Sequence, residues 1–340
     1  LESAHSLIIC VDCGTLSHEA IESVQTCDLI VLDHHLANEN LPECHAVVNP
    51  NRQDEIGNLS HLCAAAVVFL CLVEMRRLLR VSNEKSPDLM NMLDLVALAT
   101  VADVAPLIGV NRAFVRQGLK ILAKRKRIGL AALSDQIKID QTLSAYHLGF
   151  LLGPRINAGG RIGKPDLGAQ LLISQDPHTA SAIAERLDQL NTERQELEKQ
   201  IKEMALVQAM HQNDTDSLAW AAGDSWHPGV LGIVASRIKE TTNLPSVVIG
   251  FNGAIGKGSG RSISGVDLGF AIQKLVSEGL LITGGGHKMA AGLSLVRENL
   301  EKAMYRLNEI IKKQHSSIDR TPKINIDALL FPSAATLEFV

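Results

Sequence analysis

The sequence predicts an α/β protein in which a parallel-sheet domain is joined by a long helix to a smaller α/β domain. Near the N-terminus, short apolar runs alternate with helical patterns, which is typical of parallel sheets. Residues 176–211 contain no glycine and keep a helical period throughout, as expected of a connecting helix. Strand and helix patterns then resume, and 340 residues are enough for two hydrophobic cores.

The composition indicates a globular protein without a membrane span. Hydrophobic residues make up 46% and charged residues 21%, and no apolar run approaches the ~18 residues of a membrane helix. Six cysteines in a chain of this length indicate reduced thiols and a cytoplasmic location. The net charge of −4 gives no overall sign of nucleic-acid binding, so any such binding requires a local patch.

Acidic and imidazole side chains follow the first two predicted strands. Asp12 follows the first apolar run, and Asp33, His34 and His35 follow the second. Because the carboxyl ends of parallel strands form one edge where ligands bind, we expect these side chains to lie together. Carboxylate and imidazole groups suit a divalent metal ion. The alternative is that the acids only cap the helices that follow.

A third candidate acid, Asp103, lies in an otherwise apolar stretch that is predicted to be helical. The helix is expected to start with Ser86 as N-cap and Pro87 at its first position. A buried carboxylate without a partner is costly, so Asp103 is expected to need a metal ion or hydrogen-bond donors. Both possibilities remain open on the sequence alone.

Three glycine-rich segments with cationic side chains are predicted to be loops, at residues 153–163, 256–262 and 283–292. Glycine lets the backbone approach a ligand, and arginine can bind phosphate through two hydrogen bonds. An anion site and a structural loop are both consistent with the first segment, whereas the other two favour a substrate site. The basic run Lys124–Arg127 ends another predicted helix and is interpreted as solvated, with phosphate contact as the alternative.

Together these motifs resemble a known superfamily. Asp33-His34-His35 after an apolar strand, with Val11–Thr15 before it and Asp103 beyond it, resembles the DHH phosphoesterases. Further segments resemble, more particularly, the RecJ family of single-stranded-DNA exonucleases, and these are Pro154–Arg161, Trp226–Arg237 and Gly284–His287. The resemblance covers essentially the whole chain, in order.

The resemblance implies a domain organisation and an activity. Residues 1–175 would form the DHH domain, 176–213 the connecting helix and 214–318 the DHH-associated domain, with the nuclease site in the cleft between the domains. Residues 319–340 would begin an OB-fold. The implied activity is metal-dependent 5′→3′ hydrolysis of single-stranded DNA in repair and recombination.

Site roles also follow from the resemblance. Asp12 would bridge two manganese or magnesium ions, and His34 and Asp103 would ligate one of them. Asp33 would orient His34, and His35 would face the scissile phosphate. Two such ions can stabilise both the attacking and the leaving oxygen. The implied substrate-binding residues are Arg155, Asn157, Arg161, Arg261, Ser262 and His287.

One departure from the family pattern is large. The family's first motif, an acidic DxD-type segment, should precede Leu1, and most of the OB-fold is missing from this sequence. We therefore expect this 340-residue piece to bind metals poorly and to have little nuclease activity. The family role implies a monomer, with a single-strand-binding protein and a helicase as partners. The rival hypotheses are a phosphodiesterase for short oligonucleotides or cyclic dinucleotides, and a non-catalytic nucleic-acid-binding relative.

Overall fold

The structure, a computed structural model, describes residues 5–24, 27–82, 84–210, 217–315, 326 and 329–336. The chain divides into two units between Glu196 and Leu197. This division falls inside the predicted connecting helix, residues 176–213. The boundaries predicted for the domains on either side of that helix remain predictions. The mixed α/β architecture with a parallel sheet confirms the predicted fold class.

The sheet of the first unit is parallel, with strand order β1-β2-β3. Its elements are β1 (Leu7–Val11), α1 (His18–Glu22), β2 (Asp28–Leu32) and β3 (Ala46–Val48). In the register, Val11 pairs with Leu32, which pairs with Val48. The residues that follow β1 and β2 therefore leave the sheet at the same edge.

Helices make up most of the rest of the first unit. They are α2 (Ala64–Val81), α3 (Leu93–Ala102), α4 (Gly109–Leu122), α5 (Ile128–Gln136), α6 (Gly153–Ile162) and α7 (Leu167–Ile173). The longest helix, α8 (Pro177–Met210), continues across the division between the units, as the glycine-free sequence predicts. A 3-10 turn (Leu89–Met92) precedes α3, and a π-helical turn (His147–Leu152) precedes α6.

Two predictions for the first unit are wrong. The helical region before Asp103 is capped by Asp88, whose carboxylate accepts the N–H of Met90 at 3.1 Å, and not by Ser86. The segment 153–163 forms α6 and is not a loop. Its glycines provide close packing: a Cβ at Gly159 would lie 2.9 Å from the carbonyl oxygen of Lys164.

The second unit contains a five-stranded sheet with strand order β4-β5-β6-β8-β7. Only the β4–β5 pair is parallel among these strands. The elements after α8 are β4 (Ala219–Asp224), α9 (Pro228–Thr242), β5 (Ser246–Asn252), β6 (Ile255–Arg261), α10 (Leu268–Ser277), β7 (Thr283–His287), β8 (Ala290–Val296) and α11 (Leu300–His315). Their apolar faces form two buried clusters of mostly aliphatic side chains, one around α10, β8 and α11 and the other around α9.

The prediction of two glycine-rich loops in this unit is also wrong, because the two segments form β6 and the β7–β8 hairpin. Glycine is required there by packing: a Cβ at Gly256 would lie 2.7 Å from the ring of Phe251, and one at Gly284 would lie 2.6 Å from Ile272. Most of the predicted OB-fold start at 319–340 lies outside the described residues. In the part of the chain that is described, no helix is both long and apolar enough to cross a membrane.

Candidate metal centre

The β-ladder extends one residue beyond β1 and β2 and fixes the positions of two acids. The N–H of Asp12 donates to the carbonyl oxygen of Leu32 at 3.0 Å, and the N–H of Asp33 donates to Val48 at 3.0 Å. Asp12 adopts a positive φ of 62°, which turns the chain sharply out of the strand. The sequence therefore places both acids at the carboxyl edge of the sheet, as predicted from the strand pattern.

Asp33 is buried, with 1% of its surface exposed, and serves as a hydrogen-bond acceptor. Its carboxylate accepts the backbone N–H of Thr15 at 3.1 Å, the backbone N–H of His34 at 2.8 Å and the ring Nδ1–H of His35 at 2.7 Å. Burial alone raises the pKa of Asp33, but the hydrogen bonds from His35, Thr15 and His34 outweigh it and hold that pKa well below its usual value. Asp33 therefore stays ionised and fixes the turn that carries both histidines.

The ring of His34 is oriented by a backbone carbonyl. Its Nδ1 lies 3.0 Å from the carbonyl oxygen of Leu62, so Nδ1 carries the proton and Nε2 presents its lone pair. That Nε2 lies 3.2 Å from Oδ1 of Asp12 and 3.8 Å from Oδ2 of Asp103. The implied role of Asp33 in orienting the ring of His34 is therefore corrected, since Asp33 contacts the ring of His35 and only the backbone of His34.

Asp103 is not buried, and that expectation is wrong. It is the C-cap of α3, and its side chain is 46% exposed. Partial burial raises the pKa of Asp103, the nearby Asp12 raises it further, and His34 and His35 oppose the shift. The next residue, Val104, has a positive φ of 58°, so the chain turns away directly after the acid.

These side chains fit a divalent cation. Ligand atoms of Asp12, His34 and His35 lie within 4.8 Å of one another, and among the described residues they are the one such group of His, Cys, Asp and Glu. Asp103 adds a carboxylate beside His34. Oxygen and imidazole donors without a thiolate are the set that suits manganese or magnesium. His35, which the family resemblance assigns to the scissile phosphate, thus also lies within reach of a metal ion at this site.

The predicted substrate residues of the first unit lie on α6. Arg155 is largely buried and ion-paired with Asp188 at 2.7 Å, and it also donates to the carbonyl oxygen of Leu151. Asn157 and Arg161 are exposed. The helix thus presents two polar side chains to solvent and uses the third to attach itself to α8.

The predicted substrate residues of the second unit lie on or next to its sheet. Arg261 ends β6 and donates to Oγ of Ser259 at 3.2 Å, and His287 is exposed at the end of β7. Ser262 is 1% exposed and donates to the carbonyl oxygen of Val266, so its hydroxyl is not open to solvent. A depression of about 630 Å³ lies over the glycine-rich strands and is lined by Lys257 and Ser259, both from the cationic segment 256–262.

Comparison with known proteins matches both units. Residues 2–100 match the model of the DHH family, N-terminal domain, and residues 207–313 match that of the DHHA1 domain. The single-stranded-DNA-specific exonuclease RecJ of Escherichia coli is 36% identical over 99% of this chain, and that of Bacillus subtilis is 33% identical over the whole chain. The chain spans 62% of the length of the E. coli protein and 42% of the B. subtilis protein.

Two solved structures of RecJ proteins are similar to this chain over most of its length. A crystal structure of an exonuclease RecJ bound to manganese is 31% identical with a TM-score of 0.76, over 91% of this chain and 76% of that one. The RecJ of Thermus thermophilus in complex with Mn²⁺ gives 31% identity and a TM-score of 0.78, over 91% of this chain and 45% of that one. The T. thermophilus protein has also been solved with Mg²⁺. These relatives therefore hold the metals that the donor set of the candidate centre suits.

Proposed function

The chain belongs to the RecJ family of exonucleases, and on this premise we propose that it hydrolyses phosphodiester bonds of single-stranded DNA with manganese or magnesium. The proposal rests above all on His34, whose Nε2 faces the carboxylates of Asp12 and Asp103. We further propose the 5′→3′ direction that the family resemblance implies.

Asp12, His34 and Asp103 would hold the metal, with His35 beside them. When bound, the metal ions would supply charge stabilisation for the phosphoryl oxygens during hydrolysis. The chain's own residues set the geometry: Leu62 fixes the tautomer of His34, and Asp33 fixes the ring of His35. The Nε2 of His35 is then directed away from Asp33 with its lone pair outward, and we propose that the ring faces the scissile phosphate from there.

The substrate contacts remain those predicted from the motifs. Asn157 and Arg161 on α6 are exposed and suited to the DNA backbone, and we propose that Arg155 contributes through its remaining N–H groups. In the second unit, Arg261 and His287 would hold phosphates. For Ser262 we propose a contact that would replace one of its present hydrogen bonds, since its hydroxyl donates to Val266 and its backbone N–H donates to Met289.

The ligands that the polypeptide of residues 1–340 would supply to a metal ion are Asp12, His34 and Asp103. We propose that this polypeptide by itself binds metal poorly and has little nuclease activity. Titration of this polypeptide with Mn²⁺ and a hydrolysis assay test this part of the proposal, and tight metal binding or full nuclease activity would contradict it.

We also propose the cellular setting that the family implies. The enzyme would act as a cytoplasmic monomer in repair and recombination, alongside a single-strand-binding protein and a helicase. Size-exclusion chromatography with light scattering tests the monomer, and co-purification tests the two partners.

The experiment that tests the function compares substrates. The full-length protein with Mn²⁺ is given 5′-labelled and 3′-labelled single strands, a blunt duplex and a dinucleotide. We expect early release of labelled mononucleotide from the 5′-labelled single strand, late release from the 3′-labelled strand, and little from the duplex. Preference for the dinucleotide would favour an oligonucleotide phosphodiesterase, and no hydrolysis of any substrate would favour a non-catalytic relative.

A further inference from the structure

Three cations form a row on the solvent face of α4. Arg112, Arg116 and Lys120 follow one another at intervals of four residues, all are exposed, and together they line a surface depression of about 360 Å³. The opposite face of the helix, with Val115 and Leu122, is buried. Four residues of helix rise ~6 Å, so the α4 basic row, as we call these three residues, is ~12 Å long.

The side chains of the α4 basic row have no ion-pair partner among the residues that the structure describes. Like charges four residues apart weaken a helix. Across the described ranges, no carboxylate forms an ion pair with any of the three, whereas the nearby Arg125 and Arg127 are paired with Asp135 and Asp94. A protein with a net charge of −4 thus keeps an unpaired positive row, which indicates an anionic ligand.

The N-terminal end of α4 is connected to the residues that position the candidate metal centre. A Cβ at Gly109, the first residue of α4, would lie 3.7 Å from Nε2 of His61. The side chain of Asn111 donates to the carbonyl oxygen of His61 at 2.7 Å, and the next carbonyl, of Leu62, is the one that holds His34. The row therefore runs along α4 from the neighbourhood of the metal centre, and the positive end of the helix dipole lies at its start.

We propose that the α4 basic row binds successive phosphates of the single strand whose scissile bond lies at the metal centre. This inference rests on the proposed function and adds a track on the first unit that none of the motifs identified. Regular ~6 Å spacing on a rigid helix suits a polymer that carries one charge per repeat. Because the contacts are to phosphates, the track gives affinity without sequence preference.

The test uses the salt dependence of binding. The full-length protein, without divalent metal so that no cleavage occurs, is titrated with a fluorescent single strand of about 12 nucleotides at several salt concentrations. Each phosphate contact to a single strand contributes ~0.7 to the slope of log K against log salt, so Arg116→Gln with Lys120→Gln should reduce the slope by ~1.4. Arg80→Gln with Lys85→Gln removes the same charge from exposed positions of the same unit and should leave the slope unchanged.

A second readout is hydrolysis in Mn²⁺. The Arg116→Gln, Lys120→Gln variant should show a raised KM for the longer strand and an unchanged KM for a dinucleotide, which is too short to reach the row. An unchanged salt slope in the Arg116→Gln, Lys120→Gln variant would overturn the proposal. Polyglutamate serves as a second probe: if the variant loses binding to polyglutamate but keeps its binding to DNA, the row serves an acidic protein and the proposal is also overturned. If the wild type neither binds nor hydrolyses single strands, the proposed function itself fails; if it does both and only the variant's slope is unaltered, only the α4 track fails.

Discussion

The Nε2 atom of His34 lies 3.2 Å from Oδ1 of Asp12, although 21 positions separate the two residues in the chain. They meet because each follows a parallel strand of the same sheet in register. The other nitrogen of His34 is held by a backbone carbonyl, so the metal-facing lone pair is fixed by the fold. This arrangement explains why a motif of few residues can define a metal centre.

Replacing Asp33 tests the supporting role of the buried carboxylate. Asp33→Asn keeps the shape but replaces one acceptor oxygen by an NH2 group. That group would face either the N–H of Thr15 or the donors of the two histidines, so the hydrogen bonds that anchor this turn are weakened. Loss of such a partner typically costs 10–100-fold in metal affinity or activity, roughly. The Mn²⁺ concentration for half-maximal hydrolysis should rise by that factor. Asp28→Asn is the control, because Asp28 is exposed at the other end of β2, and it should leave this Mn²⁺ concentration unchanged. The same Mn²⁺ requirement in both variants would contradict the role of Asp33.

Replacing Val104 tests whether the backbone is strained at the residue that follows Asp103. A β-branched residue at φ 58° is strained, and the side chain of Val104 is 86% exposed, so it gains little from packing. Val104→Gly should therefore raise the free energy of unfolding by about 1 kcal/mol, measured by urea denaturation. Val73→Gly, at an exposed position inside α2, should lower it by about 1 kcal/mol. A similar loss in both variants would show that position 104 is not strained.

Arg127 belongs to a buried ion pair. Its guanidinium binds both carboxylate oxygens of Asp94, at 2.8 and 3.0 Å, and the side chain of Asp94 is 5% exposed. Arg127→Ala leaves a buried carboxylate without its partner and should cost about 3 kcal/mol of unfolding free energy. Arg125→Ala removes a neighbouring arginine from an exposed pair with Asp135 and should cost less than about 1 kcal/mol. Equal costs in thermal or urea unfolding would contradict this distinction.

Gly118 permits the close approach of α3 and α4. A Cβ at this position would lie 2.2 Å from the carbonyl oxygen of Leu93 and 2.3 Å from Cβ of Ala97. Gly118→Ala should therefore destabilise the protein by several kcal/mol, about 3 or more, because backbone must move. Gly160→Ala in α6 meets no atom within 4 Å and should instead stabilise by about 0.5–1 kcal/mol. A tolerated Gly118→Ala would show that the helices can separate without cost.

The sequence predicted the structure correctly where a residue pattern is compatible with one structure only. The acid-ended apolar runs predicted the edge that carries Asp12 and Asp33, and the glycine-free run predicted α8. It failed at the glycine-rich segments, because glycine permits both a ligand loop and close packing, and only the tertiary neighbours of Gly159 and Gly256 decide between them.

Three features of the first unit were not predicted from the sequence. The carbonyl of Leu62 that holds His34 belongs to the backbone, which carries no residue-specific pattern. The α4 basic row was visible as four-residue spacing, but only the structure shows that its arginines lack the partners that Arg125 and Arg127 have. The capping role of Asp88 was missed because Ser86 before proline also fits the pattern of a helix start.

The central claim is that Asp12 and His34 together hold the catalytic metal. Binding of Mn²⁺ by the full-length protein, followed by electron paramagnetic resonance, tests it directly in the wild type, in Asp12→Asn and in the control Asp28→Asn. The account predicts that the wild type and the control bind Mn²⁺ alike, and that Asp12→Asn binds it at least a hundredfold more weakly, roughly. Undiminished Mn²⁺ binding by Asp12→Asn would contradict the account.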